Sequence, residues 1–136
     1  MFHRTNRLLL RPAWPEDWQA IHRGIADEGV VRNLARAPWP YREEDARKFA
    51  ELPVEPRFPR FLITRARDAT PIGCIGIHPH GDDVELGSWI ARPFWGQGFA
   101  SEAGCAVLQI AAMLGHKRVL ASHFLDNPAS GHVLRK

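Results

Sequence analysis

The chain has little cysteine and no long apolar run. Of its 136 residues only two are cysteine, Cys74 and Cys105. That is too few for a disulfide framework, and a reducing, cytoplasmic setting is the expectation. No apolar run approaches the roughly 20 residues that span a bilayer. The opening stretch MFHRTNRLLLRP has too short an apolar segment for a signal peptide. No membrane partner is therefore expected. Repeats and low-complexity segments are missing too. Basic blocks and aromatic-basic alternation are likewise absent: 18 Lys and Arg against 15 Asp and Glu leave a net charge of +3. That excess suits a polyanionic small molecule and is too diffuse to argue for nucleic acid.

What remains is an ordinary globular composition, 45% hydrophobic and 24% charged, at a length that suits one domain with one core. Residues 7–11 (RLLLR) read as a short strand closed by Pro12. Pro15, Glu16 and Asp17 open a helix, with proline and acids in the first turn. Trp18, Ile21 and Ile25 form its apolar stripe, with Trp14 as a further member. A second helical piece is expected at 30–35, irregular chain at 37–41 (APWPY), and a charged helix from 43 to 52. Three β-rich runs follow: 61–65 (FLITR), 72–78 (IGCIGIH) and 84–91 (VELGSWIA). The turn signals between them imply an antiparallel meander. Ala103, Ala106, Val107, Ile110, Ala111 and Leu114 then mark a strong amphipathic helix, capped by Gly115. Residues 119–124 (VLASHF) read as a strand joined by a parallel crossover, and 126–136 open like a last helix. The fold class is α/β: a mixed, mostly antiparallel sheet covered by helices.

At the junction of the third meander strand and the crossover helix lies FWGQGFASEAG, residues 94–104. A helix N-terminus presents N–H groups without internal partners and the positive end of the helix dipole. Gly96, Gly98 and Ala100 keep side chains out of the way there, so a pyrophosphate can approach the backbone. Ser101 adds a cap or a hydroxyl donor. A tight strand-to-helix connection that merely needs glycine is the alternative. The Gly-Lys-Ser/Thr of a P-loop is absent, and a dinucleotide fingerprint would stand early, in GxGxxG form.

The run 92–103 (RPFWGQGFASEA) resembles the pyrophosphate-binding loop of the GNAT N-acetyltransferase superfamily. More narrowly it resembles the branch that acetylates ribosomal-protein N-termini (RimJ/RimL-like), where PxxWGxGYATEA is typical. Residues 5–12 (TNRLLLRP) with Pro15-Glu16-Asp17, Ile72-Gly73, 85–89 (ELGSW) and 127–130 (NPAS) match the same branch in the same order. The resemblance spans essentially the whole chain. One departure is Pro93, where many relatives carry Gln or Arg three residues before the first loop glycine.

The resemblance implies transfer of an acetyl group from acetyl-CoA to a primary amine, either a protein N-terminus or a small molecule, with no metal. It implies that backbone amides of Gly96, Gln97, Gly98, Phe99, Ala100 and Ser101 hold the pyrophosphate. It implies that the strand end Trp89-Ile90 receives the pantetheine arm like an added strand, with an amide near Ile90 as oxyanion donor. Asn127 matches a CoA-contacting position, and Ser130 a position that protonates the leaving thiolate. Glu85 is the candidate base, or an outward strand residue; His123 is a second candidate base. Trp39 is the candidate substrate wall. His78, His80, Asp82 and Asp83 offer metal-ligand types, but the stretch reads as a polar hairpin loop. Cys105 reads as a small core or boundary residue.

In relatives the fold continues with two more strands after the last helix, whereas this sequence stops at Lys136. The reading at this stage is therefore a single domain over 1–136 without the C-terminal hairpin, with a homodimer as one way to cover the open sheet edge. A non-catalytic CoA-binding or oligomerisation module derived from an acetyltransferase is the alternative function.

Overall fold

The computed structural model of the chain describes residues 2–25, 42–52 and 55–121. The readings at 30–35, 37–41 and 126–136 lie outside them.

Within these residues one six-stranded sheet runs in chain order: β1 (His3–Arg4), β2 (Leu8–Arg11), β3 (Arg60–Arg65), β4 (Pro71–His80), β5 (Asp83–Ile90) and β6 (Val119–Ala121). Every neighbouring pair is antiparallel except β5 and β6, which are parallel. The meander and the crossover expected from the sequence are both present. Only β1 was not foreseen; two residues carry no periodicity to read.

Among the described residues three α-helices cover the sheet: α1 (Trp18–Ile25), α2 (Glu43–Ala50) and α3 (Phe99–Met113). A short 3-10 turn, Pro15–Asp17, leads into α1. Alternation along the strands feeds two cores. Leu8 and Leu10, Phe61 and Ile63, Ile75 and Ile77, and Val84, Leu86 and Ile90 face α3. They meet its alanine-rich stripe of Ala103, Ala106, Val107, Ile110 and Ala111. On the opposite face Leu62 and Cys74, with half-buried Trp89, pack against Ile21, Ile25, Ala46 and Ala50 of α1 and α2. Strand β3 feeds both cores, so its buried run is continuous rather than alternating.

The ends of the elements follow local chemistry. Asp17 is buried and takes both guanidinium nitrogens of Arg11, at 2.8 and 3.0 Å, and the Trp14 amide at 2.6 Å. Burial alone would raise its pKa, but the Arg11 and Trp14 hydrogen bonds outweigh that and lower it. This pair fixes the chain as it leaves β2 for α1. Trp14 does not join the apolar stripe: it is 43% exposed, with the Arg11 guanidinium stacked 4.1 Å from its ring. It precedes the helix, so helical spacing does not apply to it. Helix α3 ends where expected. Gly115 has φ +87°, and His116 N–H donates to the Ala111 carbonyl at 3.0 Å, closing the last turn.

Strands β4 and β5 run longer than the turn signals implied. Pairing extends to His80↔Asp83, so the hairpin loop is only Gly81-Asp82. His78 and His80 therefore lie on a strand rather than in a polar loop. At the other end of β4, Ile63 pairs with Gly73 and Thr64 with Pro71, which leaves Ile72 as the extra residue of a bulge.

Candidate functional site

After β5 the chain makes a short 3-10 turn, Arg92–Phe94, and enters α3 through Trp95 to Gly98. Gly96 has φ +76° and Gly98 φ +80°. Side chains in that left-handed region cost about 1 kcal/mol each, so the turn itself demands both glycines. Gly98 is the N-cap of α3, and the first-turn amides of Phe99, Ala100 and Ser101 have no partner within the helix. The side chains of Phe99 and Ala100 point into the core, at 6% exposure each, while Gln97 is exposed. No described atom lies within 4 Å of a Cβ placed at Gly96. The six residues 96–101 thus gather bare backbone at a helix N-terminus, an arrangement that can hold a phosphate-bearing anion.

The strand end beside this loop divides its two expected residues. Ala91 N–H donates to the Ile72 carbonyl on β4 at 2.8 Å. Backbone groups alternate edges along a strand, so Trp89 also turns its N–H and C=O toward β4. Its carbonyl is so close to Gly73 that a Cβ there would sit 2.1 Å away. The backbone of Trp89 is thus not on the β6 edge, where an added strand would lie. That corrects the sequence-based expectation, since alternation admits only every second residue. Its ring instead packs beneath α1, where a Cβ on Gly24 would come within 2.7 Å of it. Ile90 does face the β6 side. Its carbonyl already accepts the Trp95 indole N–H at 2.6 Å. Ser88 shares that edge by the same alternation and was not singled out from the sequence. The described pairing with β6 covers only Val84, Glu85 and Leu86.

Glu85 lies on the α1 and α2 face of β5, its side chain 30% exposed. His78, its cross-strand partner, places Nε2 3.3 Å from Glu85 Oε1, and His80 places Nδ1 3.5 Å from Oε2. The carboxylate is thus flanked by two imidazoles, and no described atom lies within 4 Å of a Cβ on neighbouring Gly87. Among the described residues no group of three or more His, Cys, Asp or Glu has a geometry that would hold a metal ion.

A third cluster joins the two ends of the described chain. Glu102, in the first turn of α3, accepts the Thr5 hydroxyl, the Arg7 amide at 2.8 Å and Arg7 Nε at 2.7 Å. Arg7 Nη1 donates to the Gln97 carbonyl at 3.0 Å, and the guanidinium stacks 4.4 Å from the Phe99 ring. Burial would raise the Glu102 pKa, but the Thr5 and Arg7 contacts outweigh it and hold the carboxyl below its ordinary range.

The two cysteines differ. Cys74 is buried, and burial pushes its thiol pKa far up, so it is no nucleophile. Cys105 is exposed, which corrects its reading as a small core or boundary residue. At about 100° per residue it falls on the side of α3 opposite the buried Ala103 and Ala106 stripe. Trp39, His123, Asn127 and Ser130 lie outside the described residues.

Comparison with known proteins gives a consistent result. The family model described as an acetyltransferase (GNAT) domain matches residues 7–136. An uncharacterised N-acetyltransferase of Bacillus subtilis (strain 168), YnaD, is 27% identical over 135 residues, 97% of this chain and 78% of that protein. A crystal structure of a GNAT-family acetyltransferase from Bacillus anthracis superposes with TM-score 0.82 at 26% identity, over 98% of this chain and 80% of that one. Apo RimL, titled a ribosomal L7/L12 alpha-N-protein acetyltransferase, aligns with TM-score 0.72 over 98% of this chain and 78% of that one. At 23% identity, RimL shares the fold.

Proposed function

The chain belongs to the acetyltransferase (GNAT) domain family, and from that premise we propose that it transfers an acetyl group from acetyl-CoA to a primary amine. The observation that carries the reading is the bare backbone of residues 96–101 at the N-terminus of α3, with Gly96 and Gly98 both at positive φ. Amides of Gly96, Gln97, Gly98, Phe99, Ala100 and Ser101 hold the pyrophosphate. The Ile90 N–H, on the β6 edge, takes the pantetheine arm or the carbonyl oxygen of the thioester.

The amine must first lose a proton, because its ordinary pKa is about 8 for an α-amino group and about 10 for lysine. Glu85 takes that proton. The free amine attacks the thioester carbonyl, and the oxyanion that forms is held by a fixed backbone donor. Collapse breaks the C–S bond and releases CoA as thiolate, which takes a proton from Ser130, and Ser130 regains one from the nitrogen, which sheds its extra proton as the amide forms. Asn127 contacts CoA and Trp39 walls the acceptor. The motif match favours a RimJ/RimL-like acceptor, a protein N-terminus, with small amines as the other class. Two unbridged cysteines fit a cytoplasmic setting.

The test is release of free CoA thiol from acetyl-CoA in the presence of a panel of N-terminal peptides and polyamines. Amine-dependent release, lowered at least about a hundredfold in kcat by Glu85→Gln, supports the assignment. Acetyl-CoA binding without release for any amine would overturn the enzyme reading. Full activity in Glu85→Gln would overturn the role of Glu85.

A further inference from the structure

We propose that Arg7 is a positioning residue for the anion loop, and that it acts by neutralising Glu102. This rests on the reading of residues 96–101 as the loop that holds the pyrophosphate of acetyl-CoA.

The argument begins with a conflict of charge. Glu102 sits in the first turn of α3, a few residues beyond the N-cap Gly98. A carboxylate there already satisfies the positive end of the helix. It also repels any second anion brought to the same helix end. Its side chain is only 18% exposed, so solvent screens that repulsion incompletely. An anion site with this residue in its wall needs a cation, and the loop's own sequence from Trp95 to Ser101 supplies none.

Arg7 supplies it from the other end of the described chain. Nε meets Glu102 Oε1 at 2.7 Å, and Nη1 meets the Gln97 carbonyl at 3.0 Å. The side chain is 43% exposed, and Nη2 lies 3.5 Å from where a Cβ on Gly98 would be. One guanidinium thus cancels the carboxylate and ties down the carbonyl between the two loop glycines. The Thr5 hydroxyl and the Arg7 amide complete the cradle around Glu102 and would remain if the guanidinium were lost.

A charge role and a purely structural clamp predict opposite signs for one variant. Glutamine at 102 keeps the carbonyl acceptor for Thr5 and for the Arg7 amide but removes the charge. The experiment is calorimetric titration of the full chain with acetyl-CoA for the parent, Arg7→Gln, Arg7→Lys, Glu102→Gln and the Arg7→Gln/Glu102→Gln pair, at two salt concentrations. The expected result is affinity weakened about tenfold in Arg7→Gln, most strongly at low salt. Arg7→Lys, which keeps the charge but not the fork that meets Glu102 and Gln97 together, should fall between the parent and Arg7→Gln. Glu102→Gln should bind as tightly as the parent or tighter, and the double variant should recover most of the loss. A double variant as weak as Arg7→Gln, or weaker binding in Glu102→Gln, would overturn the inference while leaving the acetyl-CoA site standing. A folded parent that binds no acetyl-CoA would overturn the site and the inference together.

Discussion

At the residue scale, two carboxylates anchor the chain, Asp17 locally between β2 and α1 and Glu102 across some 95 residues, and both have lowered pKa values. Asp17 is held by Arg11 and Trp14, and Glu102 by Thr5 and Arg7. A group whose folded pKa lies below its unfolded value stabilises the fold above the unfolded range, near pH 4. That stabilisation is lost as pH falls through the folded value. Asp17→Asn should therefore cost about 2 kcal/mol at pH 7, because it leaves the partly buried Arg11 guanidinium short of its partner. The difference from the parent should shrink on acidification below about pH 4. Denaturant titrations of both proteins at pH 7 and pH 3 check this; an unchanged gap would mean the carboxylate does not carry its charge into the fold. Glu85 makes a different claim at the same scale. His78→Asn and His80→Asn remove the imidazoles at 3.3 and 3.5 Å from it. If these rings hold the carboxylate in place, kcat should fall several-fold with acetyl-CoA affinity unchanged, read from initial rates and titration. Equal loss of affinity would place the histidines in the fold rather than at the acceptor.

At the scale of elements, the turn into α3 is the part most legible in the sequence. Gly96 and Gly98 punctuate it, and both take the left-handed φ that glycine alone adopts without strain. Gly96→Ala should cost about 1 kcal/mol of stability from φ alone, since nothing described crowds its Cβ. Gly98→Ala should cost about the same, because its Cβ would meet only Arg7 Nη2, at an ordinary contact distance of 3.5 Å. Thermal unfolding of the pair checks this; a much larger cost at Gly98 would mean that Arg7 is held too rigidly to accept the methyl group. What the sequence hid at this scale was direction. Alternation separates Trp89 from Ile90 by strand edge, and no pattern of residue types reveals which edge a backbone group faces. Cys105 was misread for a related reason: adjacency to Ala106 and Val107 in the chain is not adjacency on the helix, where successive residues are about 100° apart.

At the scale of the whole molecule, the order of elements follows from period and punctuation, because strand alternation and helical spacing are local signals. The links that join them are not local. Arg7 and Glu102 are 95 residues apart in sequence, and neither has a neighbour that announces the other. The same holds for Gly24 and Trp89, which let α1 approach the sheet. The mixed sheet then separates two kinds of surface: backbone donors at the start of α3, and Glu85 with its histidines on the opposite face of the sheet. The gap between them is spanned by β5, whose Ser88 and Ile90 turn their backbone toward β6.

The central claim is that residues 96–101 form a CoA pyrophosphate site, and calorimetric titration of acetyl-CoA into the parent chain and into Gly98→Glu tests it most directly. The account predicts micromolar binding to the parent, about −8 kcal/mol, and none to the folded variant, whose side chain would put a carboxylate where the phosphate lies. Equal binding to both, or none to a folded parent, would contradict it.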